Sequence, residues 1–416
     1  PGYQPPLPFS SAFSAESLIT QNYDEPGIAA DPRFPADQVM WTVYNDLDAA
    51  RSVAFEGSNP LGLEAQVTVW AYKRKDLLGN VVFRRLRLIN KGGVDIGGGT
   101  KGAFYIDSMY VSQWSDPDTA HFEDDQAGCD STLSLGFAYN AGDDDQEFRR
   151  YNFPPPAVVY NLVQGPTVPS AGVSANFDMK RRGGFKNLGM SSFAYFSSGS
   201  VYTDPPRGNY SSGTGQWYKM LRGFAPLGTI ADADIPYALP PGHPPTKYPL
   251  SGDPVNGTGF LDGLGTSYSL APGDRRILVN SGPFSFAPGD TQEVVVAIVA
   301  ALGGNRLSSV FQLKATDAFA QAMYDAQFSL PEVPTFSVKV TYPNPTEATV
   351  TFAATDERRS FASLTSSLKT RDGSTVADVP LFDDGAHGDG GANDGVFAGS
   401  VTLARRAEAL YAVGTG

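Results

Sequence analysis

Carboxylates are the residues of this sequence that most directly indicate chemistry, and they are concentrated in two places. The first is the stretch from Asp107 to Asp145, where acidic residues alternate with short apolar runs. The second is the turn-rich segment from Asp383 to Gly395, where glycines separate aspartates. Neighbouring carboxylates repel each other unless a cation or water satisfies them, and Ca²⁺ takes roughly six to eight oxygen ligands in irregular loops. The pattern therefore predicts calcium-binding loops at both places.

The predicted cofactor is calcium, and its predicted ligands are aspartates in loop-like sequence. They are Asp116, Asp118, Asp124, Asp125, Asp130, Asp383, Asp384, Asp389 and Asp394. Their spacing is not that of an EF-hand loop. The alternative is a solvated acidic loop at the first place and a bare Asx/Gly hairpin at the second.

A complete catalytic signature is missing from the sequence. Ser/His/Asp catalysis would have to use His121 in an acidic loop, His243 between prolines or His387 in a turn, and there is no GxSxG nucleophile elbow. A glycosidase needs two carboxylates at a set separation, and the acidic residues are too numerous for the sequence to select a pair. We therefore expect a protein that is not an enzyme, with an extracellular hydrolase as the second alternative.

The elements that must position these residues are predicted to be strands. The sequence has 45 Gly, 32 Pro and only 18% charged residues, and alternating apolar segments recur between turns, which is typical of an all-β protein. The net charge of −13 disfavours nucleic acid and anionic membrane surfaces and favours cations. No apolar run reaches the length of a transmembrane segment, and a start at Pro1 fits both removal of a signal peptide and a trimmed chain.

Stretches rich in proline and glycine divide the sequence into three predicted regions. Residues 1–36 are predicted to form an extended N-terminal arm, and residues 37–330 a large antiparallel β-sandwich-type domain with one packed helix near 307–328. The Pro-containing linker ends at Pro334, and residues 335–416 are predicted to form a small immunoglobulin-like β-sandwich. Within the large domain, we expect a strand at 133–139 to return beside the one at 109–114.

Aromatic residues in the long Pro- and Gly-rich loops suggest a second kind of ligand. Beside Asn and Asp they would suit a sugar-stacking surface, and the alternative is that they pin the loops to the sheet. The residues are Tyr195, Tyr202, Tyr210, Trp217, Tyr218 and Tyr248.

Two groups of segments carry a resemblance to a known class of proteins. The first group is DQVMWTVYNDLD, NPLGLEAQVTVWAY, NVVFRRLRLINKGG, YVSQWSDPD, DDQAGCDSTLSLGFAYN, GDPVNGTGF and SGPFSFAPGDTQEVVVAIVAALGGNRLSSVFQLK. It resembles the large N-terminal region of secreted bacterial surface proteins that carry a type IX secretion sorting domain. The second, PLFDDGAHGDGGANDGVFAGSVTL, is similar to the acidic hairpin of their anchor-proximal immunoglobulin-like modules. The resemblance implies secretion to the extracellular space or outer cell surface, and it implies no chemistry.

These observations lead to one main functional hypothesis and two alternatives. The main hypothesis is a secreted or cell-surface structural protein, self-assembling into a homo-oligomeric layer or filament, whose acidic loops are stiffened by calcium. The first alternative is a glycan-binding or adhesion module that uses the aromatic loops. The hydrolase is the second.

Overall fold

Strands dominate the structure, as the composition predicts. The computed structural model describes residues 36–263, 270–329, 331–370, 374–406 and 410–415. The chain divides into a larger unit, formed by Pro1–Tyr72 and Asn80–Phe328, and a smaller unit, formed by Lys73–Gly79 and Ser329–Gly416. The predicted arm at residues 1–36 lies outside the described residues, except for its last position.

The larger unit contains the following described elements in chain order. They are β1 (Gln38–Asn45), α1 (Ala49–Glu56), β2 (Leu63–Ala71), β3 (Val81–Asn90), β4 (Val94–Asp95), β5 (Lys101–Gly102), β6 (Ile106–Ser115), β7 (Asp125–Asp130), β8 (Leu135–Asn140), β9 (Ala157–Gln164), β10 (Thr167–Phe177), β11 (Lys180–Asn187), β12 (Ser192–Ser197), α2 (Gly215–Leu221), β13 (Arg275–Phe286), β14 (Thr291–Ala301) and α3 (Arg306–Asp325).

Two antiparallel sheets form the layers of the larger unit. One has the strand order β1-β2-β3-β14-β9-β8-β7 and the other the order β12-β13-β6. Their facing side chains, among them Phe193, Ile277, Val279, Val294 and Val296, form the core between the layers. The predicted β-sandwich architecture is therefore present.

The pairing predicted for the strand at 133–139 is wrong. This strand is β8, which pairs with β7 and β9 in the seven-stranded sheet. Residues 109–114 belong to β6, which pairs with β13 in the other layer. Alternation of apolar and polar residues identifies a strand and its buried face, but it does not specify the partner when two sheets present similar apolar faces.

The predicted helix is α3, and the structure adds two shorter helices. Asn305 caps α3, because its Oδ1 accepts a hydrogen bond 2.8 Å long from the Ser308 N–H while the Asn305 N–H donates to the Ser308 hydroxyl oxygen, also at 2.8 Å. The helix packs against β14 and β9. Helix α1 begins after Asp48, whose carboxylate accepts from the Arg51 N–H at 3.2 Å. Asp48 is therefore an N-cap signal that can be recognised in the sequence.

The smaller unit is a two-layer sandwich of short antiparallel strands, as expected for an immunoglobulin-like module. Its sheets have the orders β15-β16-β19 and β18-β17-β20. Phe352, Leu368, Leu381 and Phe397 lie between them. The strands are β15 (Thr335–Asn344), β16 (Glu347–Thr355), β17 (Leu364–Thr370), β18 (Thr375–Leu381), β19 (Val396–Ala404) and β20 (Leu410–Thr415).

The smaller unit also includes Lys73–Gly79, the connection between β2 and β3. Arg74 donates to the Pro331 carbonyl at 2.8 Å, and the Lys75 N–H donates to Glu332 at 2.6 Å. The segment Lys73–Gly79 therefore belongs to the smaller unit, although it lies far from the rest of that unit in the sequence. In the described part of the chain, no helix combines the length and hydrophobicity needed to cross a membrane.

Candidate ligand-binding cleft

The candidate functional site is a cleft of about 610 Å³ in the larger unit. Five segments meet there, namely the end of α1, the end of β6, the start of β13, helix α2 and the loop before α2. The residues that line it are Phe55, Glu56, Trp114, Asp116, Asp204, Pro205, Arg207, Trp217 and Arg276. We call this site the aromatic cleft.

Arg276 organises the charges of the aromatic cleft. Its Nε lies 3.0 Å from Asp116 Oδ2 and its Nη2 lies 2.8 Å from Asp274 Oδ2, while Nη1 pairs with Asp204. One guanidinium thus uses its planar set of donors to hold three carboxylates contributed by three separate segments. These polar groups are fixed in position before any ligand arrives.

Aromatic side chains form the other part of the wall. Trp114 is 45% exposed although it lies on a strand of the core layer, and Phe55 is 61% exposed. The Arg207 guanidinium lies 5.7 Å from the centre of the Phe55 ring, and Trp217 packs edge-on against the buried Phe196 at 5.4 Å. Flat apolar faces are therefore available beside charged groups.

Glu56 differs from the other carboxylates of the cleft. Burial raises the pKa of Glu56, and the nearby Trp217 indole and Arg207 guanidinium oppose that rise. The Glu56 carboxylate and the Trp217 indole N–H are partners in a hydrogen bond of relaxed geometry, and Asp274 Oδ1 is a buried polar atom beside the cleft that has no hydrogen bond within the described part of the chain. A buried carboxylate oxygen without a hydrogen bond, such as Asp274 Oδ1, is rare in folded proteins.

Gly57 allows α1 to reach the cleft. It ends the helix with φ of 86°, and a Cβ built at this position would lie 2.3 Å from the backbone of Asn209. The Thr214 hydroxyl then donates to the Glu56 carbonyl at 2.6 Å. A side chain at position 57 would push apart the two segments that present Glu56 and Trp217.

The structure brings together two of the predicted calcium ligands. Carboxylate oxygens of Asp116, Asp118 and Asp274 lie within 4.8 Å of one another. Asp274 was not predicted, because it lies far away in sequence, directly before β13. The donor set is all oxygen, which suits Ca²⁺, but Arg276 already pairs with two of the ligand carboxylates.

The other three predicted ligands of the first region serve separate local structures. Asp124 accepts a hydrogen bond from the Asn140 amide at 2.8 Å, and burial raises its pKa. Asp125 is buried and bonds to Thr119, and burial raises its pKa to about 8. Asp130 closes a turn by accepting from the Thr132 hydroxyl at 2.6 Å.

In the second region the aspartates accept hydrogen bonds from the backbone of their own loop. Asp383 accepts from the N–H groups of residues 394 and 395, both at 3.0 Å. Asp389 and Asp394 accept from the Gly385 and Gly391 N–H groups, and these bonds lower the pKa of both carboxyls. Asp384 pairs with the His387 ring, which lowers the pKa of Asp384. The calcium assignment in both regions stays a prediction.

The loop aromatics have different locations. Trp217 lines the cleft, whereas Tyr195 and Tyr202 are buried. Tyr195 stacks on Tyr237, and Tyr202 meets Tyr237 edge-on. The Tyr248 hydroxyl donates to the Met190 carbonyl at 3.0 Å. Pinning of loops therefore accounts for several of these residues. Sequence reasoning missed Trp114 and Phe55, because a strand and a short helix carry them.

Comparison of the sequence with protein-family models and with curated proteins identifies no relative. No protein-family model matches the sequence, and no curated protein matches it. The resemblance to type IX secretion surface proteins therefore stays a hypothesis.

Proposed function

We propose that this protein is a binding protein that holds a neutral saccharide in the aromatic cleft. The observation that carries the proposal is the placement of exposed Trp114 and Phe55 beside the charge cluster of Arg276. Aromatic faces bind the C–H faces of sugar rings, while carboxylates and guanidinium groups bond to the hydroxyls. A volume of about 610 Å³ lies within the range of small-ligand sites.

The charge arrangement favours a ligand without net charge. Asp116 and Asp204 are already paired with Arg276, so a cationic ligand would compete with an internal guanidinium. An anionic ligand would meet the same carboxylates. Hydroxyl groups both donate and accept, and they can therefore bond to the outer faces of these ion pairs without breaking them. Because the ion pairs fix the polar groups in advance, little ordering is needed on binding.

Binding of the purified chain to an array of neutral oligosaccharides tests the proposal, followed by calorimetry on the best ligand. Trp114→Ala removes the exposed aromatic face, and we expect at least about tenfold weaker binding, equivalent to roughly 1.4 kcal/mol. The matched control is Tyr151→Ala, which removes an aromatic side chain that is 73% exposed and outside the cleft. Equal loss in both variants, or an array without any ligand, would contradict the proposal.

The hydrolase alternative is tested in the same samples. Glu56, with its raised pKa, has the character of a general acid. Release of reducing ends from the bound saccharide, abolished by Glu56→Gln, would identify an enzyme. Unchanged saccharide after long incubation supports binding alone.

A second candidate function is the structural one, a secreted or surface protein that associates with copies of itself. It is favoured by β15, an edge strand that pairs with β16 among the described strands. Alternate residues Val338, Val340 and Tyr342 of this strand are exposed and share one face. Exposed apolar edge strands are sites of association between chains. The extracellular location and the calcium cofactor belong to these proposals on sequence grounds alone.

A further inference from the structure

The antiparallel pair β10–β11 carries a concentrated positive charge on an acidic protein. We call it the basic ribbon. The chain has a formal net charge of −13, yet neither strand of the ribbon contains an acidic residue. Four basic side chains fall within one strand, and all four are exposed: Lys180, Arg181, Arg182 and Lys186.

The ribbon is held at both ends. At its base, the Thr167 N–H donates to Gln292 Oε1 at 2.8 Å. At its turn, the Asp178 N–H donates to Glu293 Oε1 at 2.9 Å, and Gln327 donates to the Met179 carbonyl at 2.8 Å. The ribbon is therefore fixed along the surface, and its charges are presented without ordering of a free hairpin.

Side chains of the ribbon are also positioned individually. The Arg182 guanidinium lies 3.7 Å from the centre of the Phe185 ring, and Arg181 donates to Asn176 at 2.9 Å. Stacking on an aromatic face leaves the edge of a guanidinium free to bond to carboxylates. The ribbon thus offers a rigid, cationic surface suited to carboxylate groups.

We propose that the basic ribbon docks onto the anionic surface of a second copy of this chain. Charge complementarity is built into the sequence, because the excess of carboxylates over basic residues leaves most of the remaining surface acidic. The ribbon is compact, because Thr167 at its base and Asp178 at its turn bond to the adjacent residues Gln292 and Glu293. A long polyanion would therefore extend past the ribbon and meet that acidic surface within a Debye length of about 8 Å. A second copy meets the ribbon with a local patch and avoids this repulsion.

The contact joins two different surfaces, so it is heterologous. Each copy keeps one unused ribbon and one unused acidic surface, and such a contact continues into an open chain of copies unless the rotation closes a ring. The inference rests on the second candidate function, self-association, and names the surface that drives it. It is independent of the aromatic cleft.

Sedimentation velocity of the full chain at rising NaCl concentrations is the test. We expect the association to weaken roughly tenfold or more between about 0.05 and 0.5 M NaCl, because salt screens the surface charges. The ribbon variant K180E/R181E/R182E/K186E should be monomeric. A matched variant, R51E/K101E/R149E/R150E, makes the same charge change at exposed side chains elsewhere and should keep forming assemblies larger than the monomer.

A mixing experiment separates the heterologous contact from a symmetric one. The ribbon variant keeps its acidic surface, so it should bind the ribbon of a wild-type copy and shorten wild-type assemblies in proportion to its share. Carbodiimide cross-linking should join Lys180 or Lys186 to a carboxylate of another copy, detected with isotope-labelled chains. Should the fourfold reversal fail to fold, judged by near-ultraviolet circular dichroism, R182Q/K186Q replaces it.

The outcomes are distinguishable. A wild-type chain that is monomeric at every salt concentration would overturn both self-association and the docking of the ribbon. If the association does not change with salt concentration, or if the ribbon variant still associates, docking through the ribbon is wrong. The edge strand β15 would then remain as the contact. A monomer whose ribbon binds a sulfated polysaccharide or DNA would replace the second copy with a polymeric partner.

Discussion

In the larger unit, the carboxylates of Asp116, Asp204 and Asp274 surround the guanidinium of Arg276, whereas in the smaller unit Asp389 and Asp394 accept hydrogen bonds from backbone N–H groups. The pKa of Asp274 is raised by burial, and the pKa values of Asp389 and Asp394 are lowered by those N–H donors. Acidic segments that look alike in sequence thus reach opposite electrostatic states. The difference arises because desolvation outweighs the attraction of Arg276 at Asp274, whereas the Gly385 N–H donor outweighs desolvation at Asp389.

The largest expected effect is on pH dependence. Asp125 has a folded pKa of about 8 against an ordinary value of 3.8, and Asp317 one of about 7. Between about pH 4 and pH 8 the folded state holds protons that the unfolded state has released, so the free energy of unfolding falls as pH rises. The slope is about 1.4 kcal/mol per pH unit for each group. In the smaller unit the lowered pKa values of Asp389 and Asp394 act in the opposite sense, and stability is lost as pH falls below about 4.

Urea unfolding at a series of pH values measures how the free energy of unfolding of each unit depends on pH. All four tryptophans belong to the larger unit, so their emission follows that unit selectively. Asp125→Asn should reduce the slope of the decline by about 1.4 kcal/mol per pH unit and leave the part that belongs to Asp317, while Asp389→Asn should leave the whole decline unchanged. A wild-type stability that rises over this window would show that Asp125 is ionised in the folded protein.

The next effect is the loss of the shared cation. Arg276→Ala leaves three carboxylates without their partner, and we expect the free energy of unfolding of the larger unit to fall by roughly 2–3 kcal/mol, less at high salt. Arg149→Ala breaks a single exposed pair with Asp144 and should cost under about 0.5 kcal/mol. The comparison fails if the two variants lose equal stability.

The smallest effect concerns calcium. If Ca²⁺ occupies both acidic regions, EDTA should lower Tm by several degrees, since a ligand that binds the native state alone stabilises it. Asp118→Asn should remove the part of the shift that belongs to the larger unit, and Asp384→Asn the part that belongs to the smaller one. An unchanged Tm after chelation would mean that internal partners, Arg276 and the backbone, satisfy the carboxylates alone.

The fold class could be predicted from the sequence, but most of the aromatic cleft could not. Alternation indicates β2 and β3, and a continuous apolar run indicates β14, because one or both faces of these strands are buried. Asn305 or Ser308 indicates the start of α3. The cleft escaped prediction because it depends on which strands become neighbours. Asp116 and Asp274 meet through the pairing of β6 with β13, across a separation in the chain that no local pattern encodes.

The segment Lys73–Gly79 has a mechanical consequence. Because it belongs to the smaller unit, the backbone passes between the two units at residues 72–73, 79–80 and 328–329. The two units are therefore joined by three backbone crossings rather than by one linker. A single proteolytic cut near Pro331 would leave the smaller unit attached through the connection between β2 and β3, where Arg74 and Lys75 bond to Pro331 and Glu332.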